Sequence, residues 1–527
     1  FWYPFCKSLY KPPRKMLQEK RTMSQVHNDY KNLLKKGREN RLLSSLSLLL
    51  EWDQETYMPK GGIDFRSEQI ELISSLAHRE KTSETFKTAL SKLIDLNTGK
   101  VLSEELDARK KAALREWRRE YLMETKLPND FVKTLAKTTS QATSYWAEAK
   151  KNNTFEIFLP QLEKIVPLIR QKADYLGWKE HPYNALLDLY EPGMTTKQLD
   201  TLFSQLKPFL TQLTQKLSLK KRVDTTFLSA HFPEDKQETF NHFILDQMGL
   251  DPRYSRLDYS EHPFCLGLHP QDVRLTTHTS AWSFFKSISA VMHEGGHALY
   301  ELGLSPEELG SPVGEYCSMG MHESQSRWWE TFIGQGRPFW KFAFPKLKET
   351  FPDQLAAVDL DHFYHAINQV EPSFIRVFAD EVTYILHIIL RYEIEKELLE
   401  GTLSLSNLPT VWNQKMEDSF GIIPDTDSDG CLQDIHWACG LFGYFPTYAL
   451  GNLYSAQVFQ TFQKTFPDWE VRIAGGDLKF MRHFLLENIH CVGREFPALT
   501  LIEKVTGSPL SPEPYITYLE KKYRFSL

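Results

Sequence analysis

The sequence predicts a mainly α-helical protein that forms a single large domain, and three observations favour this fold class. Apolar residues recur at three- and four-residue steps over long stretches. Strand-like alternation is confined to one short region, and no linker rich in Gly, Pro or Ser divides the chain. We therefore predict one helical domain over residues 24–527 with a small β-sheet, and an N-terminal extension outside the fold over residues 1–23.

Three segments show the clearest helical periodicity. The first begins near Thr196, and Pro208 predicts a kink or a break within it because proline lacks the N–H that an interior helical residue donates. The second runs from about residue 280 to residue 302. The third runs from about residue 374 to residue 400, and Gly401 is the expected stop because glycine readily adopts the left-handed conformation that ends many helices.

The best strand lies at Asp272–Thr277, where apolar and polar residues alternate. Turn-forming residues at 269–271 come directly before it and predict a hairpin. A turn-rich stretch at 425–430 matches the first part of a calcium-binding loop, but His436 stands where that loop requires a glutamate. We therefore interpret this stretch as an ordinary loop.

Composition is that of an ordinary globular protein. Of the 527 residues, 41% are hydrophobic and 25% are charged, which excludes a disordered or collagen-like chain. The chain has 62 basic and 68 acidic residues, so its net charge of −6 offers no general attraction for nucleic acid or anionic lipid. No run of 18 apolar residues is present. We therefore expect neither a nucleic-acid partner nor a membrane partner.

The cysteines and the N-terminus favour a cytoplasmic location. The six cysteines are widely spaced and none forms a C-x-x-C pair, so the chain is not a disulfide scaffold. Residues 1–6 are apolar, but a basic cluster at residues 11–15 follows them, which is the opposite order to a secretory signal. Reduced thiols in a cytoplasmic protein are the simplest interpretation of this pattern.

The most informative motif is H-E-x-x-H at His293–His297, within the second helical segment. Residues four apart lie on one face of a helix, so His293 and His297 can bind the same metal ion. Glu294 can hold a water molecule beside that ion without being a ligand, which is how this motif serves zinc hydrolases. Gly295 and Gly296 each weaken the helix, and this cost indicates close approach of another backbone or of a substrate.

A catalytic zinc site needs a third protein ligand. It should come from a following segment, because one straight helix cannot easily place three such ligands around one ion. A turn at residues 310–314 lets the chain double back. Glu323 is favoured beyond that turn, but the residues alone leave several candidates open: Glu301, Glu307, Glu308, Glu315, Glu323 and His322.

Several short motifs stand in order along the chain. They are His262-Pro-Phe264, Asp272-Val-Arg274-Leu-Thr276, His293-Glu294-x-x-His297, His322-Glu323-Ser324-Gln325, Ile375-Arg376-Val-Phe-Ala379-Asp380 and Gly430-x-x-Gln433-Asp434-x-His436-Trp437. With these motifs the sequence resembles the carboxypeptidase Taq family of metallopeptidases, also called thermostable carboxypeptidases. The resemblance spans about residues 45–520.

The resemblance implies a metal centre and an activity. His293, His297 and Glu323 are the implied ligands of one zinc or cobalt ion, and Glu294 is the implied general base. The implied reaction is attack of a metal-bound water, assisted by Glu294, that releases single C-terminal residues with broad specificity and poor cleavage at proline. The implied architecture is a homodimer of mostly helical subunits, each with a deep substrate groove and a gluzincin-like H-E-x-x-H helix.

A carboxypeptidase must also recognise the free carboxylate of its substrate, and the planar guanidinium of arginine matches it with two hydrogen bonds. Arg274 and Arg376 are the candidates within the family motifs. Asp380 follows Arg376 by four residues in the predicted helix and can orient it, although an ordinary surface ion pair has the same spacing.

The remaining polar residues of the motifs suggest supporting roles. His436 and Tyr444 can donate to the oxyanion that forms when water adds to the peptide carbonyl, although His436 and Trp437 can equally be a packed aromatic pair. His262 and Asp272 are candidates for hydrogen-bond partners of the ligand histidines.

Two other functions stay open from the sequence. A dipeptidyl carboxypeptidase or oligopeptidase of related helical fold also uses H-E-x-x-H with a downstream glutamate. A protein of another class, a non-catalytic helical scaffold (a pseudoenzyme), would keep the motifs without binding metal. The products released from one peptide distinguish the first alternative from a carboxypeptidase, which removes one residue at a time. The metal content of the purified protein distinguishes the second, because an enzyme of this kind needs about one ion per chain.

Overall fold

The computed structural model describes residues 23–524, and helices account for most of them. This confirms the predicted mainly α fold class. The predicted extension over residues 1–23 falls, apart from Met23 at the start of the first helix, outside the described residues and stays a prediction. In chain order the helices are α1 Met23–Thr56, α2 Ile63–Lys81, α3 Glu84–Ser91, α4 Ala108–Lys126, α5 Asn129–Asn152, α6 Phe155–Leu176, α7 Tyr183–Leu187, α8 Thr196–Ser218, α9 Glu234–Met248, α10 Phe284–Gly303, α11 Met319–Arg327, α12 Arg337–Thr350, α13 Leu360–Ile367, α14 Tyr384–Glu400, α15 Leu408–Phe420, α16 Pro446–Thr465, α17 Trp469–Ala474, α18 Lys479–Leu485, α19 Ala498–Thr506 and α20 Glu513–Tyr523.

The predicted strand and hairpin are confirmed. A three-stranded sheet contains β1 (Ser255–Tyr259), β2 (Cys265–His269) and β3 (Asp272–Thr277), and β3 lies in the centre. β2 pairs with β3 in the antiparallel direction across the predicted turn, whereas β1 pairs with β3 in parallel. The sheet packs on α10, the helix that carries the H-E-x-x-H motif.

Two predicted helices match their observed counterparts closely. α8 begins with a capping box between Thr195 and Gln198, and it continues through Pro208 to Ser218, so the predicted break does not occur. α10 covers nearly the whole predicted segment.

The third helix prediction was wrong at its start. A helix from about residue 374 was expected, but Arg376–Phe378 form a separate 3₁₀ turn and α14 begins only at Tyr384. The Asp380 carboxylate accepts hydrogen bonds from the backbone N–H groups of Val382 and Thr383, at 2.9 and 3.0 Å. These bonds satisfy donors at the helix start and favour an N-terminus at this point. The helix ends as predicted, with Gly401 in the left-handed region at φ +82°.

The buried apolar side chains form two clusters within the described residues. The larger one surrounds α10, α11, α14 and α16, and the smaller one lies between α1, α3 and α4. No helix in the segment from residue 23 to residue 524 is long and apolar enough to cross a membrane. The sheet and the larger cluster together fix both faces of α10.

Glycines set the distance between three helices of the larger cluster. A Cβ atom placed on Gly296 of α10 would lie 2.7 Å from the Ser326 Cα and closer still to the Gln325 carbonyl oxygen, both on α11. A Cβ atom on Gly451 of α16 would lie 2.8 Å from the Cβ of Glu323. Real Cβ atoms do not approach so closely, so α11 fits between α10 and α16 only because both neighbours carry glycine at these positions.

We predict that Gly296→Ala and Gly295→Ala differ sharply in stability. At Gly296 the added methyl group meets backbone, so α11 must move, and overpacking of this kind costs about 1–3 kcal/mol. At Gly295 it meets the flexible end of Met248, 2.7 Å from Cε, which can turn away, while helix propensity improves by about 1 kcal/mol. Thermal unfolding should show a clearly lower midpoint for Gly296→Ala only. Equal midpoints would contradict the packing argument.

Candidate metal centre

The structure brings three candidate ligands together. His293 and His297 project from the same face of α10, with ring centroids 4.8 Å apart. Glu323 comes from α11, and its Oε2 lies 3.6 Å from His293 Nε2 and 3.5 Å from His297 Nε2. One donor atom from each of the three residues lies within 4.8 Å of the others.

This spacing fits a bound divalent metal ion. In a tetrahedral zinc site with bonds of about 2.0–2.2 Å, neighbouring ligand atoms lie about 3.4 Å apart, which is close to both measured separations. Two imidazoles and one carboxylate are also a donor set typical of catalytic zinc, with one position left for water. The residues present therefore fit the metal that the motif predicts.

The other candidates for the third ligand have different partners. Glu301 Oε1 lies 2.8 Å from His322 Nε2, so these two residues pair with each other. Glu308 and Glu315 form ion pairs with arginines, at 2.9 Å and 3.0 Å. Glu307 accepts a hydrogen bond from the Ser305 hydroxyl at 2.8 Å. Within the described residues, Glu323 is the carboxylate grouped with both histidines of the motif.

Two charged residues that support this site were missed by sequence reasoning. Glu330 Oε2 lies 2.8 Å from His293 Nδ1 and therefore orients the imidazole. Arg327 Nη1 donates to Glu330 at 2.9 Å, while its Nε donates to Glu323 Oε1 at 3.2 Å. The signal was present in their spacing, because Arg327 and Glu330 follow Glu323 by four and seven residues in one helical stretch.

Charge in the site is arranged to keep the carboxylates ionised. Burial raises the pKa of Glu323, but the nearby His293 and Arg327 outweigh it and hold the pKa well below its usual range. Burial likewise opposes ionisation of Glu330, yet Arg327 and His293 lower its pKa to about 2. Burial also lowers the pKa of His297, and its Nδ1 is a buried nitrogen without a hydrogen-bond partner.

Glu294 lies beside the candidate ligands in a different environment. Glu294 is 7% exposed, and burial raises its pKa to about 7 although His293 opposes the shift. A carboxyl group whose pKa lies near neutral pH can accept and return a proton. Glu294 therefore has the properties that a general base requires.

A cavity of about 490 Å³ contains the three candidate ligands and Glu294. Strand β2, the α10 helix and the segment before α11 form its walls, and three side chains near the start of α16 complete it. The volume falls within the range of small-molecule pockets. The side chains in the cavity near the start of α16 are Tyr444, Thr447 and Tyr448.

Arg376 lies behind Tyr448, on the side away from the cavity, in a buried charged cluster. Its Nη2 donates to Asp434 Oδ1 at 2.8 Å, and Arg391 pairs with the other oxygen of Asp434 at 2.6 Å. The Arg376 guanidinium also lies 4.9 Å from the ring centre of Tyr448. Two arginines share one carboxylate, so the cluster carries an excess positive charge near the cavity.

The predicted role of Asp380 in orienting Arg376 was wrong. The two residues do not share a helix, and the Asp380 carboxylate accepts from backbone N–H groups, including that of Glu371 at 3.1 Å. The carboxylate that orients Arg376 is instead that of Asp434, which belongs to the motif at residues 430–437.

His436 and Tyr444 lie near one another, with ring centroids 5.7 Å apart. Tyr444 lines the cavity, whereas His436 stands behind it with Nε2 3.2 Å from the Tyr448 hydroxyl. Burial lowers the pKa of His436 to about 4, so this imidazole is neutral at pH 7. The predicted pairing of His436 with Trp437 is not the main contact, because the His436 ring packs 4.4 Å from Phe445.

Three other predicted site residues occupy different positions. Arg274 donates to Asp272 at 3.0 Å and lies 4.4 Å from the ring centre of Trp52 in α1, so both groups of this pair serve the sheet and its contact with α1. The prediction that Asp272 supports a ligand histidine was therefore wrong. His262 is exposed, and in the described part of the chain the His293 imidazole has Glu330 as its partner instead.

Comparison with known proteins identifies the family. A family model described as carboxypeptidase Taq (M32) metallopeptidase matches residues 32–523. The chain is 41% identical over 504 residues to thermostable carboxypeptidase 1 of Thermus thermophilus, covering 94% of this chain and 98% of the relative. It is 39% identical over 476 residues to carboxypeptidase 1 of Bacillus subtilis, covering 90% of this chain and 94% of the relative.

A solved structure agrees with these matches. The M32 carboxypeptidase from Deinococcus radiodurans R1 superimposes with a TM-score of 0.91 at 33% identity, covering 95% of this chain and 99% of that chain. The resemblance indicated by the short motifs is thereby confirmed over most of the sequence, and the chain is a metallocarboxypeptidase. It belongs to the carboxypeptidase Taq (M32) family of metallopeptidases.

Proposed function

We propose that this enzyme releases single amino acids from the C-termini of peptides, using one divalent cation held by His293, His297 and Glu323. The observation that carries the proposal is the convergence of these three donor groups, within 4.8 Å of one another, beside the buried carboxyl group of Glu294. Zinc and cobalt both suit this donor set, and metal availability decides between them.

The metal supplies Lewis acidity when bound, because it lowers the pKa of water to about 7 and polarises the peptide carbonyl. Glu294 removes the proton from the attacking water and later gives it to the leaving amine. The role is supported by its position, because Glu294 is buried, lines the same cavity as the three candidate ligands and is not part of the ligand group. Tyr444 lines the same cavity and donates to the oxyanion as it forms.

Recognition of the free carboxylate is assigned to the cluster around Arg376. Arg376 and Arg391 share the single carboxylate of Asp434, so an incoming substrate carboxylate compensates the remaining positive charge. Tyr448 lies between this cluster and the cavity. Its ring centre is 4.9 Å from the Arg376 guanidinium, and its hydroxyl is 3.2 Å from His436 Nε2. The terminal residue of the substrate would therefore lie between the ligands and Tyr448, which excludes cleavage far from the C-terminus.

Other expected properties remain predictions. Broad specificity, poor cleavage at proline and a homodimer come from the resemblance to the family. A cytoplasmic location comes from the cysteine pattern. The dipeptidyl carboxypeptidase and oligopeptidase alternative differs from the proposal in the size of the product, which the next experiment measures.

We expect mass spectrometry of one digested peptide to show loss of one residue at each step. The same peptide with a C-terminal amide should be cleaved far more slowly, because the carboxylate that the Arg376 cluster recognises is absent. Loss of a hydrogen bond to a charged group costs about 1.5–3 kcal/mol, which lowers kcat/KM about ten- to hundredfold. Release of dipeptides or internal fragments would contradict the proposal.

The two candidate arginines can be separated by the same assay. Arg376→Lys removes the planar guanidinium and should lower kcat/KM for the free peptide by about tenfold or more. Arg274→Lys is the matched control, because Arg274 contacts Asp272 and Trp52 outside the cavity. We expect the control to keep nearly normal activity. The reverse result would move the carboxylate site to Arg274.

Glu294→Gln should keep the metal and lose most of the turnover. The amide is similar in size to the carboxylate but cannot accept the proton from water, and general-base catalysis contributes about 10²- to 10⁴-fold. Elemental analysis of the purified variant should still find one ion per chain. A variant that keeps both its metal and its activity would refute the assigned role of Glu294.

Glu330→Gln should weaken metal binding by about ten- to hundredfold, as loss of a hydrogen-bond partner of a ligand histidine does elsewhere. Competition with a chromogenic chelator measures the affinity. Glu301→Gln is the matched control, because Glu301 pairs with His322, which lies outside the ligand group. Equal losses in both variants would show that Glu330 has no special role in orienting His293.

A further inference from the structure

A second cavity, of about 560 Å³, lies outside the candidate metal centre. The end of α8 and the residues after it form one side, and α13, the segment that follows α13, and the end of α20 form the other. None of its lining residues also lines the cavity of the metal centre. The proposed peptidase mechanism makes no use of this second cavity.

Its lining is strongly basic. Six basic side chains contribute to it, against one acidic side chain, Glu371. This contrasts with the chain as a whole, in which acidic residues exceed basic ones. We call it the cationic cavity, and its basic residues are Lys220, Lys221, Arg222, Arg337, Lys521 and Lys522.

Part of this charge is already compensated. Arg222 pairs with Glu371 at 2.7 Å, but both side chains are well exposed, and such a pair contributes little to stability. Arg337 pairs with Asp361 outside the cavity, and the buried Lys522 pairs with Glu381. Only the pair between Lys522 and Glu381 is buried, so of these three contacts it alone holds its basic side chain firmly in place.

Two of the charges have no compensation among the described residues. Lys221 and Lys521 are exposed, and neither makes a hydrogen bond or an ion pair with any residue between 23 and 524. They come from separate segments, the chain after α8 and the end of α20, yet they line one cavity. Charges of one sign that are gathered in a concave site raise the local concentration of oppositely charged ligands.

The cavity also offers contacts other than charge. Tyr364 of α13 presents an aromatic ring, with the Arg337 guanidinium 5.8 Å from its centre. Asn368 also lines the cavity, and its amide Nδ2 donates to the Tyr364 carbonyl at 2.9 Å, which ties it to α13. The volume lies within the range of sites for small molecules of nucleotide size.

We propose that the cationic cavity binds a small phosphorylated molecule that carries several negative charges. Phosphate groups suit this lining because each presents several acceptor oxygens to lysine and arginine donors together. Several linked phosphates can offer acceptors to Lys221 and Lys521 at the same time, whereas a single carboxylate carries only one negative charge. The aromatic ring of Tyr364 favours a nucleoside polyphosphate, because a base can pack against it, whereas inorganic polyphosphate would contact the basic groups alone.

Calorimetric titration of the metal-loaded enzyme tests the proposal, with ATP, tripolyphosphate and citrate as probes. We expect saturable binding of ATP and tripolyphosphate, with citrate at least tenfold weaker, and with affinity that falls as salt is added. Tighter binding of ATP than of tripolyphosphate would assign a nucleotide, and equal binding would assign inorganic polyphosphate. No saturable binding of either, or equal binding of citrate, would overturn the proposal.

A charge-reversal pair locates the binding. Lys221→Glu combined with Lys521→Glu should weaken the binding of ATP and tripolyphosphate by at least tenfold. Lys133→Glu combined with Lys137→Glu is the matched control, because these exposed lysines lie on α5, away from the cavity lining. Equal weakening by both pairs of substitutions would show that only the overall charge of the protein matters, and it would overturn the assignment of the binding site to the cationic cavity.

The candidate metal centre must be excluded as the binding site, because phosphates also bind divalent cations. The titration is therefore repeated after the metal is removed with a chelator and the chelator is dialysed away. Binding that persists and stays sensitive to Lys221→Glu with Lys521→Glu supports the cationic cavity. Binding that disappears with the metal would place the phosphates at His293, His297 and Glu323 and would overturn the proposal.

Discussion

The close approach of three helices at two glycines is the constraint on which the candidate site depends. Gly296 of α10 and Gly451 of α16 leave room for α11, and no side chain larger than hydrogen fits at either contact without displacing it. α11 carries Glu323, so the spacing of these helices sets the distance from its carboxylate to the two histidines. The cost of glycine in a helix is thus offset by the geometry of the site.

Buried charge connects this geometry with the candidate substrate site. Arg327 joins Glu323 to Glu330 and also lies 4.1 Å from the ring centre of Tyr384. The Tyr384 hydroxyl in turn accepts a hydrogen bond from Arg376 at 3.3 Å. The carboxylate that would hold the metal and the arginine that would hold the substrate are therefore linked through two side chains. Their relative position is fixed by the fold, as pre-organised catalysis requires.

Local patterns were enough to predict much of this arrangement. Helical spacing placed His293 and His297 on one face, alternation located β3, and the paired glycines indicated close backbone contact, which Gly296 makes. Long-range partners could not be predicted in this way. Asp434 pairs with Arg376 from 58 residues away, and the helix expected to pair Arg376 with Asp380 begins later because the Asp380 carboxylate binds backbone N–H groups. Tertiary packing determines which residues pair over such distances and where a helix begins, and local patterns in a single sequence do not contain this information.

The most direct test of the central claim is the position of the metal itself. Crystals of the enzyme grown with zinc, with anomalous scattering recorded at the zinc absorption edge, would locate the ion without reference to activity. The account predicts one strong peak at about 2.0–2.2 Å from His293 Nε2, His297 Nε2 and a Glu323 oxygen. A peak that lacks Glu323 among its ligands, or zinc bound only at other residues, would contradict it.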